Sequence, residues 1–440
     1  MRSSYWLLFI GLSIHFLSNF SRGYSVYDET IPTLRDCPAL DANKHIEIMR
    51  ASIYYKSRQK TDIFMKLVFD SNYIYTLLTP YIIPEEIKKL KNSPDEIRVF
   101  YPSAIWLEER NVFLAVVQVN LWDTYSFLYS TFFDSEWNEI RDEDYIGNTK
   151  VPGIMEIEKI WLLYLSGPED PRIFRGPKGE LYFIFNKLTK DFKRTINIYS
   201  YSTGTSRQLV LEEHLCSQHI LEKDWTPLIV DDEHMYFIYN YKNLQIIDCT
   251  EENETCKKVK GIYDPVLNSI RGGSPYARYA DTNYFISFIY TNVSQDAPEI
   301  KMKPYRPALS IIEYIEGVRP DFKLIYASEP IDFGNRVFLS PVSQYKSIKQ
   351  TFDSAMSRIL MVHSISRWNY KEDIVDLTLT VNESFAIAIR VKGITDLVQF
   401  IINMYEYGRI EEKEDCAILL AFNYHRQLWP RHLFNTIKFS

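Results

Sequence analysis

Pro171-Arg172-Ile173-Phe174, a turn through Gly176 and Gly179, and Leu181-Tyr182-Phe183-Ile184-Phe185 form one phrase. It consists of a proline, a short apolar strand, a turn and an aromatic-rich strand. The phrase recurs. Pro102-Ser103-Ala104-Ile105-Trp106 leads to Val112-Phe113-Leu114-Ala115-Val116. Pro227-Leu228-Ile229-Val230 leads, across Asp231 and Asp232, to Met235-Tyr236-Phe237-Ile238-Tyr239, and Pro275-Tyr276-Ala277 leads to Tyr284-Phe285-Ile286-Ser287-Phe288. A fainter fifth copy is expected to begin near Pro341 and to reach Ile359-Leu360-Met361-Val362. The starts lie about fifty to seventy residues apart, a period that signals propeller blades. The expectation is an all-β, five-bladed β-propeller over residues 97–440, each phrase forming the inner two strands of a four-stranded blade.

Further strands are expected to fill the gaps, with candidates at Ser126 to Phe133, Thr195 to Tyr201, Leu244 to Cys249 and Leu309 to Tyr314. A β-sandwich of many hairpins is the alternative, because hairpin spacing alone fits both. Val375 to Val391 is again strand-like, and Ile394 to Tyr407 has a helical period that predicts a C-terminal helix outside the blades. Before the repeats, residues 24–96 form an N-terminal extension with short helical stretches near His45 to Ala51 and Ile82 to Asn92.

Composition agrees with this reading. Tyr (32) and Phe (26) outnumber Gly (15), which favours strands and argues against disorder. The net charge is −7 with no basic block, so nucleic acid is not an expected partner. Arg2 followed by an apolar run from Tyr5 to Leu17 makes residues 1–23 a signal peptide or signal anchor. The body of the chain is then expected in the secretory lumen, as a Golgi type II protein or, if the signal is cleaved, a secreted one. The membrane would be touched only through the N-terminal segment. Asn253, Asn292 and Asn382 head N-glycosylation sequons that fit this address. Of five cysteines, Cys249 and Cys256 flank a short polar loop and are the expected disulfide.

The chemistry concentrates in Gly167-Pro168-Glu169-Asp170-Pro171-Arg172. Two carboxylates and a guanidinium stand between prolines that leave few conformations to lose on ordering. Such a group can move a proton while a cation holds an anion; a charged turn with an internal ion pair is the plain alternative. The repeat decides between them. Lys223-Asp224-Trp225-Thr226 stands before Pro227 and Arg271-Gly272-Gly273-Ser274 before Pro275, in the equivalent place of neighbouring blades. Asp170, Lys223 and Arg271 are therefore expected around one axis, where propeller loops converge on ligands.

Asp142-Glu143-Asp144 has the DxD form that nucleotide-sugar enzymes use for a divalent cation, although an acidic run is more often a solvated loop. No cofactor is expected to be required, and no metal site is assigned. Among the histidines, His363 follows a strand and is placed to point into the channel, while His214, His219 and His234 read as loop residues.

At these residues the chain resembles a known family. GPEDPRI, EKDWTPL (Glu222 to Leu228), LQIIDC with a following Cys (Leu244 to Cys256) and RGGSP (Arg271 to Pro275), in this order, resemble the fungal β-1,2-mannosyltransferases of cell-wall mannan synthesis. More remotely, the EDPR motif and the repeat are similar to five-bladed β-mannoside phosphorylases and hydrolases. The resemblance implies transfer of mannose from GDP-mannose, with inversion, onto mannan or an oligomannoside. It also implies that Asp170 is the catalytic carboxylate. Arg172, Lys223 and Arg271 would then neutralise the leaving diphosphate. Glu169 would orient Arg172 or bind sugar hydroxyls, Asp224 would join the substrate site, and Trp225 would offer a stacking face or else be core. The alternatives are a β-mannoside phosphorylase or hydrolase using Asp170 as an acid, and a glycan-binding propeller without catalysis.

Overall fold

In the computed structural model, the described residues are 60–81, 97–121, 125–157, 167–189, 193–212, 222–241, 244–250, 255–261, 270–292, 305–331, 333, 359–381 and 385–406. They form five antiparallel blades. Blade I runs through Ile97–Leu107, Val112–Leu121, Tyr125–Phe133 and Glu139–Ile140. Blade II consists of Pro168–Arg175, Leu181–Leu188, Arg194–Ser200 and Thr205–Gln208. Blade III is Thr226–Leu228, Tyr236–Asn240, Gln245–Asp248 and Thr255–Lys260, with Val210–Leu211 added in parallel.

In blade IV the innermost strand is split. Ile270–Arg271 and Ala277–Arg278 both pair with Tyr284–Asn292, which continues to Tyr305–Ile315 and Asp321–Pro330. Blade V is Leu360–Asn369, Ile374–Val381 and Phe385–Lys392, and its outer strand is Lys60–Lys66. The chain thus closes the ring with a strand that precedes blade I. That strand lies in the stretch read as an extension, and nothing local in its sequence announces the pairing.

The fifth blade needs a correction. Ile359 to Val362 was expected to belong to a second strand following a start at Pro341. Leu360–Asn369 is instead the innermost strand, and the blade runs on through the strand-like region after Val375. Pro341 lies outside the described residues. The first and second strands of the other blades fall on the recurring phrases, and the third strands on the expected segments.

Circularity is visible in the packing. Phe183, Phe185 and Tyr199 of blade II pack with Leu114, Val116 and Leu128 of blade I. Phe174 and Tyr182 meet Trp225 and Phe237 across the next seam. Tyr236 and Ile238 then meet Phe285 and Ile312, and Phe288 and Leu309 meet Leu360 and Leu377. The ring is completed where Phe113 and Trp137 of blade I rest on Ala386 and Ala388 of blade V. Small residues on one side let the stacked aromatic pair Phe113–Trp137, 3.9 Å between centroids, fill the other.

Two helices flank the blades. α1 (Ser71–Leu78) is capped by Asp70, whose carboxylate accepts from the amides of Asn72 and Tyr73, and buries Ile74 and Leu78. α2 (Ile394–Glu406) buries Ile394, Leu397, Val398, Ile401 and Ile402 against blades IV and V. Its 3.6-residue apolar stripe supplies that face. Cys249 and Cys256 are joined in a disulfide at the edge of blade III. Closing so short a loop contributes roughly 2–3 kcal/mol in the chain-entropy account.

No helix among the described residues is long and apolar enough to cross a membrane. Residues 1–23, the helical stretches near His45 and Ile82, His214, His219, and the sequon residues Asn253 and Asn382 lie outside the described residues. Asn292 ends a blade IV strand.

Candidate active site at the hub

The innermost strands break their ladders at the same level. In blade I, Tyr101 and Pro102 stand opposite one residue of the next strand, between the pairs Phe100–Gln118 and Ser103–Val116. In blade II, Asp170 and Pro171 do the same between Glu169–Asn186 and Arg172–Ile184. A proline has no amide to give to a ladder, so an X-Pro step suits a bulge, and a bulge re-aims the residue it carries. Tyr101 and Asp170 accordingly take φ of 51° and 57°, and Asp224, just ahead of blade III's inner strand, takes 65°. In blade V the extra residue is His363, between Val362–Leu379 and Ser364–Thr378. Irregular backbone of this kind concentrates at functional sites.

Blade IV uses glycine for the same purpose. A Cβ on Gly272 would lie 2.0 Å from Thr226 Oγ1 and 2.2 Å from the Asp224 carbonyl, and one on Gly273 1.7 Å from the Phe288 carbonyl. Glycine at 272 allows blades III and IV to approach so closely, and glycine at 273 lets the inner stretch of blade IV lie against its own second strand. The Gly273 carbonyl then accepts from Arg172 Nε at 2.6 Å, tying blade II to blade IV through the hub.

Asp170, Arg172, Lys223, Asp224 and Arg271 come together here. Arg172 is 4% exposed and donates from one terminal nitrogen to Asp170 Oδ1 at 2.5 Å; Asp170 keeps 18% of its side chain open. The Asp170 amide is held by Gln118 Oε1 at 2.9 Å. Burial pushes the Asp170 carboxyl above its ordinary range; Arg172 opposes this and the nearby Asp224 charge adds to it. Asp224 receives Arg271 at 3.1 Å and the hydroxyl of Tyr290. Burial alone would raise Asp224, but Arg271, Lys223 and the Tyr290 hydrogen bond outweigh it and hold the carboxyl low.

Lys223 makes no hydrogen bond or ion pair among the described residues. Burial pulls its ammonium below the usual lysine range, with the Asp224 charge opposing and the Arg271 charge adding. A cleft of about 250 Å³, counting its opening to solvent, is bordered by Asp170, Arg172, Asn186, Asp224, Trp225 and Gly272.

Two assignments shift. Glu169 pairs with Arg194 rather than Arg172, and Arg194 also donates to Asn186. The pleat turns Glu169 toward the third strand of its own blade. The Trp225 ring is 3% exposed and packs with Phe237 and Tyr239, while its N–H donates to Glu222 at 3.1 Å. It borders the cleft with its ring held in the core between blades II and III, so it offers no open stacking face.

Asp142-Glu143-Asp144 lies away from the hub beside a two-stranded ribbon, where Arg110 pairs with Asp144 and Lys150 with Glu143. Among the described residues no group of three His, Cys, Asp or Glu side chains gathers as a cation site. His234 pairs with Asp231 in its loop. Tyr290, Gln118 and Arg194 were not singled out in the sequence, because each belongs to an ordinary aromatic or polar strand position until the blades assemble.

A carboxyl with raised basicity, partly open to solvent and paired with Arg172, beside a second carboxyl held by Arg271 and near Lys223, can exchange a proton next to cations that suit an anionic substrate. The family model described as Beta-mannosyltransferases matches residues 195–424, more than half of the chain, and the protein belongs to that family. It is 24% identical to Beta-mannosyltransferase 4 of Komagataella phaffii, over 72% of this chain and 68% of the relative. It is 23% identical to Beta-mannosyltransferase 1 of the same yeast, over 90% and 67%. Among solved structures it is similar to MPT-4, a mannose phosphorylase from Leishmania mexicana, at 12% identity over 80% of this chain and 94% of that one. The TM-score of that pair is 0.42, too low to carry an argument about chemistry. At the level of its family, the protein is an enzyme of mannose sugars.

Proposed function

We propose that the protein transfers mannose from GDP-mannose, with inversion, into β-1,2 linkage on mannan or an oligomannoside. The observation that carries this reading is the Asp170 carboxyl, partly open, raised in pKa, paired with Arg172 and beside Asp224, which in turn pairs with Arg271 and lies near Lys223. Making a β-mannoside from an α-linked donor takes a single in-line displacement. Asp170 removes the proton of the acceptor hydroxyl as its oxygen attacks the anomeric carbon, and the bond to the diphosphate breaks on the opposite face. The charge that develops on the departing diphosphate falls to the three cations. With charge supplied by side chains, this scheme calls for no metal ion. The signal-like residues 1–23, the sequons and the Cys249–Cys256 disulfide support work in the secretory lumen, with a Golgi type II anchor as the proposed arrangement.

Incubating the full chain with GDP-mannose and mannan oligosaccharides, and reading the product by NMR, tests this. A new β-1,2-mannosyl residue is the expected product. Release of mannose 1-phosphate from a β-mannoside and inorganic phosphate, without transfer from GDP-mannose, would replace it with the phosphorylase reading. Binding without turnover would make the protein a lectin.

A further inference from the structure

His363 is wholly buried, and among the described residues neither ring nitrogen has a hydrogen-bond partner. An unsatisfied polar group in a folded interior calls for an explanation, because burial without a partner is costly and selects against itself. The backbone around His363 is not loose. Its carbonyl accepts from Ser103 Oγ at 3.2 Å, and Ser103 Oγ in turn accepts from the amide of Ile173, three residues beyond Asp170. The next residue, Ser364, accepts from the amide of Ala104 at 2.9 Å. Blades I, II and V are therefore pinned together around the ring, whose position is fixed while its nitrogens stay open.

One charged atom beside the ring matters for chemistry. Asp170 Oδ1 lies 3.8 Å from His363 Nδ1, too far for a hydrogen bond, while the same oxygen lies 2.5 Å from Arg172. Tyr101 covers another side of the ring edge-on, with centroids 5.0 Å apart. Burial, with the Arg172 charge adding to it, takes the imidazole well below the usual histidine range, so it is neutral. The titratable and charged groups facing it are Asp170, Arg172 and Tyr101.

We propose that His363 is a positioning residue for Asp170, a second seat to which the carboxyl turns when an anionic diphosphate claims the Arg172 guanidinium. This rests on the transfer reading. In the seated arrangement the proton taken from the acceptor hydroxyl sits on Asp170 and is shared with Nδ1 of His363. The carboxyl and imidazole together then change charge from −1 to 0, and the diphosphate leaves with the electron pair of the broken bond. A carboxylate held by a guanidinium is a poor base; one facing a neutral acceptor is a better one.

Two measurements test the proposal. In the transfer assay, His363→Phe keeps the volume and removes both nitrogens. It should lower kcat roughly 100-fold, with donor KM within about twofold. The acid limb of its kcat–pH profile should move down by about half a unit or more, because the acceptor that favours protonated Asp170 is gone. His363→Asn, whose amide reaches the place of Nδ1, should recover part of the loss, and His363→Gln, which reaches the place of Nε2, should recover less. An unchanged kcat and acid limb in His363→Phe would overturn the proposal while leaving the transfer reading intact, and so would better rescue by Gln than by Asn.

The second measurement does not depend on turnover. In the full chain labelled with ¹⁵N-histidine, adding GDP should shift the Nδ1 resonance that His363→Asn deletes, and Asp170→Asn should abolish that shift. No shift on GDP addition in the unsubstituted protein would overturn the proposal. If mannose is not transferred but the shift appears, the transfer reading fails and the second seat stands.

Discussion

Two clusters of buried carboxylate and arginine sit in this propeller, and they are finished differently. On the second strand of blade V, Asp376 is wholly buried and accepts from Arg367 Nε at 2.8 Å and from Arg390 Nε at 2.7 Å. Arg390 also donates to the Ser135 carbonyl, and Arg367 lies over the Trp106 ring at 4.6 Å. That cluster closes on itself and seals the seam between blades V and I. At the hub, Asp170 and Asp224 are also paired with arginines, yet among the described residues Arg271 Nε and both His363 nitrogens lack partners, and the Lys223 ammonium is uncommitted. A structural ion pair uses up its valences; a site holds some back for a ligand.

The sharpest break in that comparison is Asp170→Asn. Losing the acid–base carboxyl should cut transfer about 10³-fold or more, near the upper part of the range for such groups. The unfolding midpoint should stay close to that of the unsubstituted protein, since burial on balance disfavours the ionised Asp170 carboxyl and the Asn amide oxygen can still accept from Arg172. Steady-state transfer assays beside a thermal melt check both halves, and a large fall in stability with retained specific activity would assign Asp170 to the structural kind of cluster.

Asp376→Asn is the mirror experiment. It leaves two guanidinium groups facing a neutral side chain, and should cost about 3 kcal/mol of stability by urea unfolding. Turnover per folded molecule should remain near normal. If activity falls with no loss of stability, the closed cluster is coupled to the hub and the contrast dissolves.

Between the two stands Glu222. Its carboxyl accepts from Trp225 Nε1 and the Tyr239 hydroxyl, and burial, opposed by those two hydrogen bonds, pushes it up to about 7 from an ordinary 4.5. A raised carboxyl stabilises the fold fully below its unfolded pKa and loses that contribution as pH climbs through its folded one. The window is therefore about pH 4.5 to 7. Relative to Glu222→Gln, the unsubstituted protein should lose about 2 kcal/mol across it, after allowing for partial solvent screening. Urea midpoints of both proteins at the two ends of the window measure the difference. A parallel pH dependence would mean that Glu222 titrates alike in the folded and unfolded chain.

How much of this was legible follows from what each feature needs. Four blades announce themselves because proline, turn and aromatic strand are local signals that recur. The ring closure does not, since Lys60–Lys66 finds Phe385–Lys392 across more than three hundred residues. The hub was partly legible. Asp170, Asp224 and Arg271 each stand at or before a proline-led strand, and an equivalent place in a repeat becomes an equivalent place on the axis. The pairing of Glu169 with Arg194 and the enclosure of Trp225 were not, because both depend on which side of a strand faces its neighbouring sheet. For His363, the sequence supplied the direction of the side chain but not its isolation, which exists only once three blades are packed around it.

The smallest expected effect is the most discriminating. Lys223 has no hydrogen bond or ion pair to lose among the described residues, so its removal separates ligand binding from folding more cleanly than any arginine at the hub. On the transfer reading, Lys223→Met gives up a charge-assisted contact to the diphosphate, worth about 1.5 kcal/mol, and donor KM should rise roughly tenfold. Stability should hold or rise slightly, because a poorly solvated ammonium is exchanged for an apolar side chain of similar length. Donor KM and urea unfolding, measured on the same preparation, test the two statements together. A drop in stability with unchanged KM would place the Lys223 ammonium among the closed ion pairs of the fold, and the open valences of the hub would then belong to Arg271 and His363 alone.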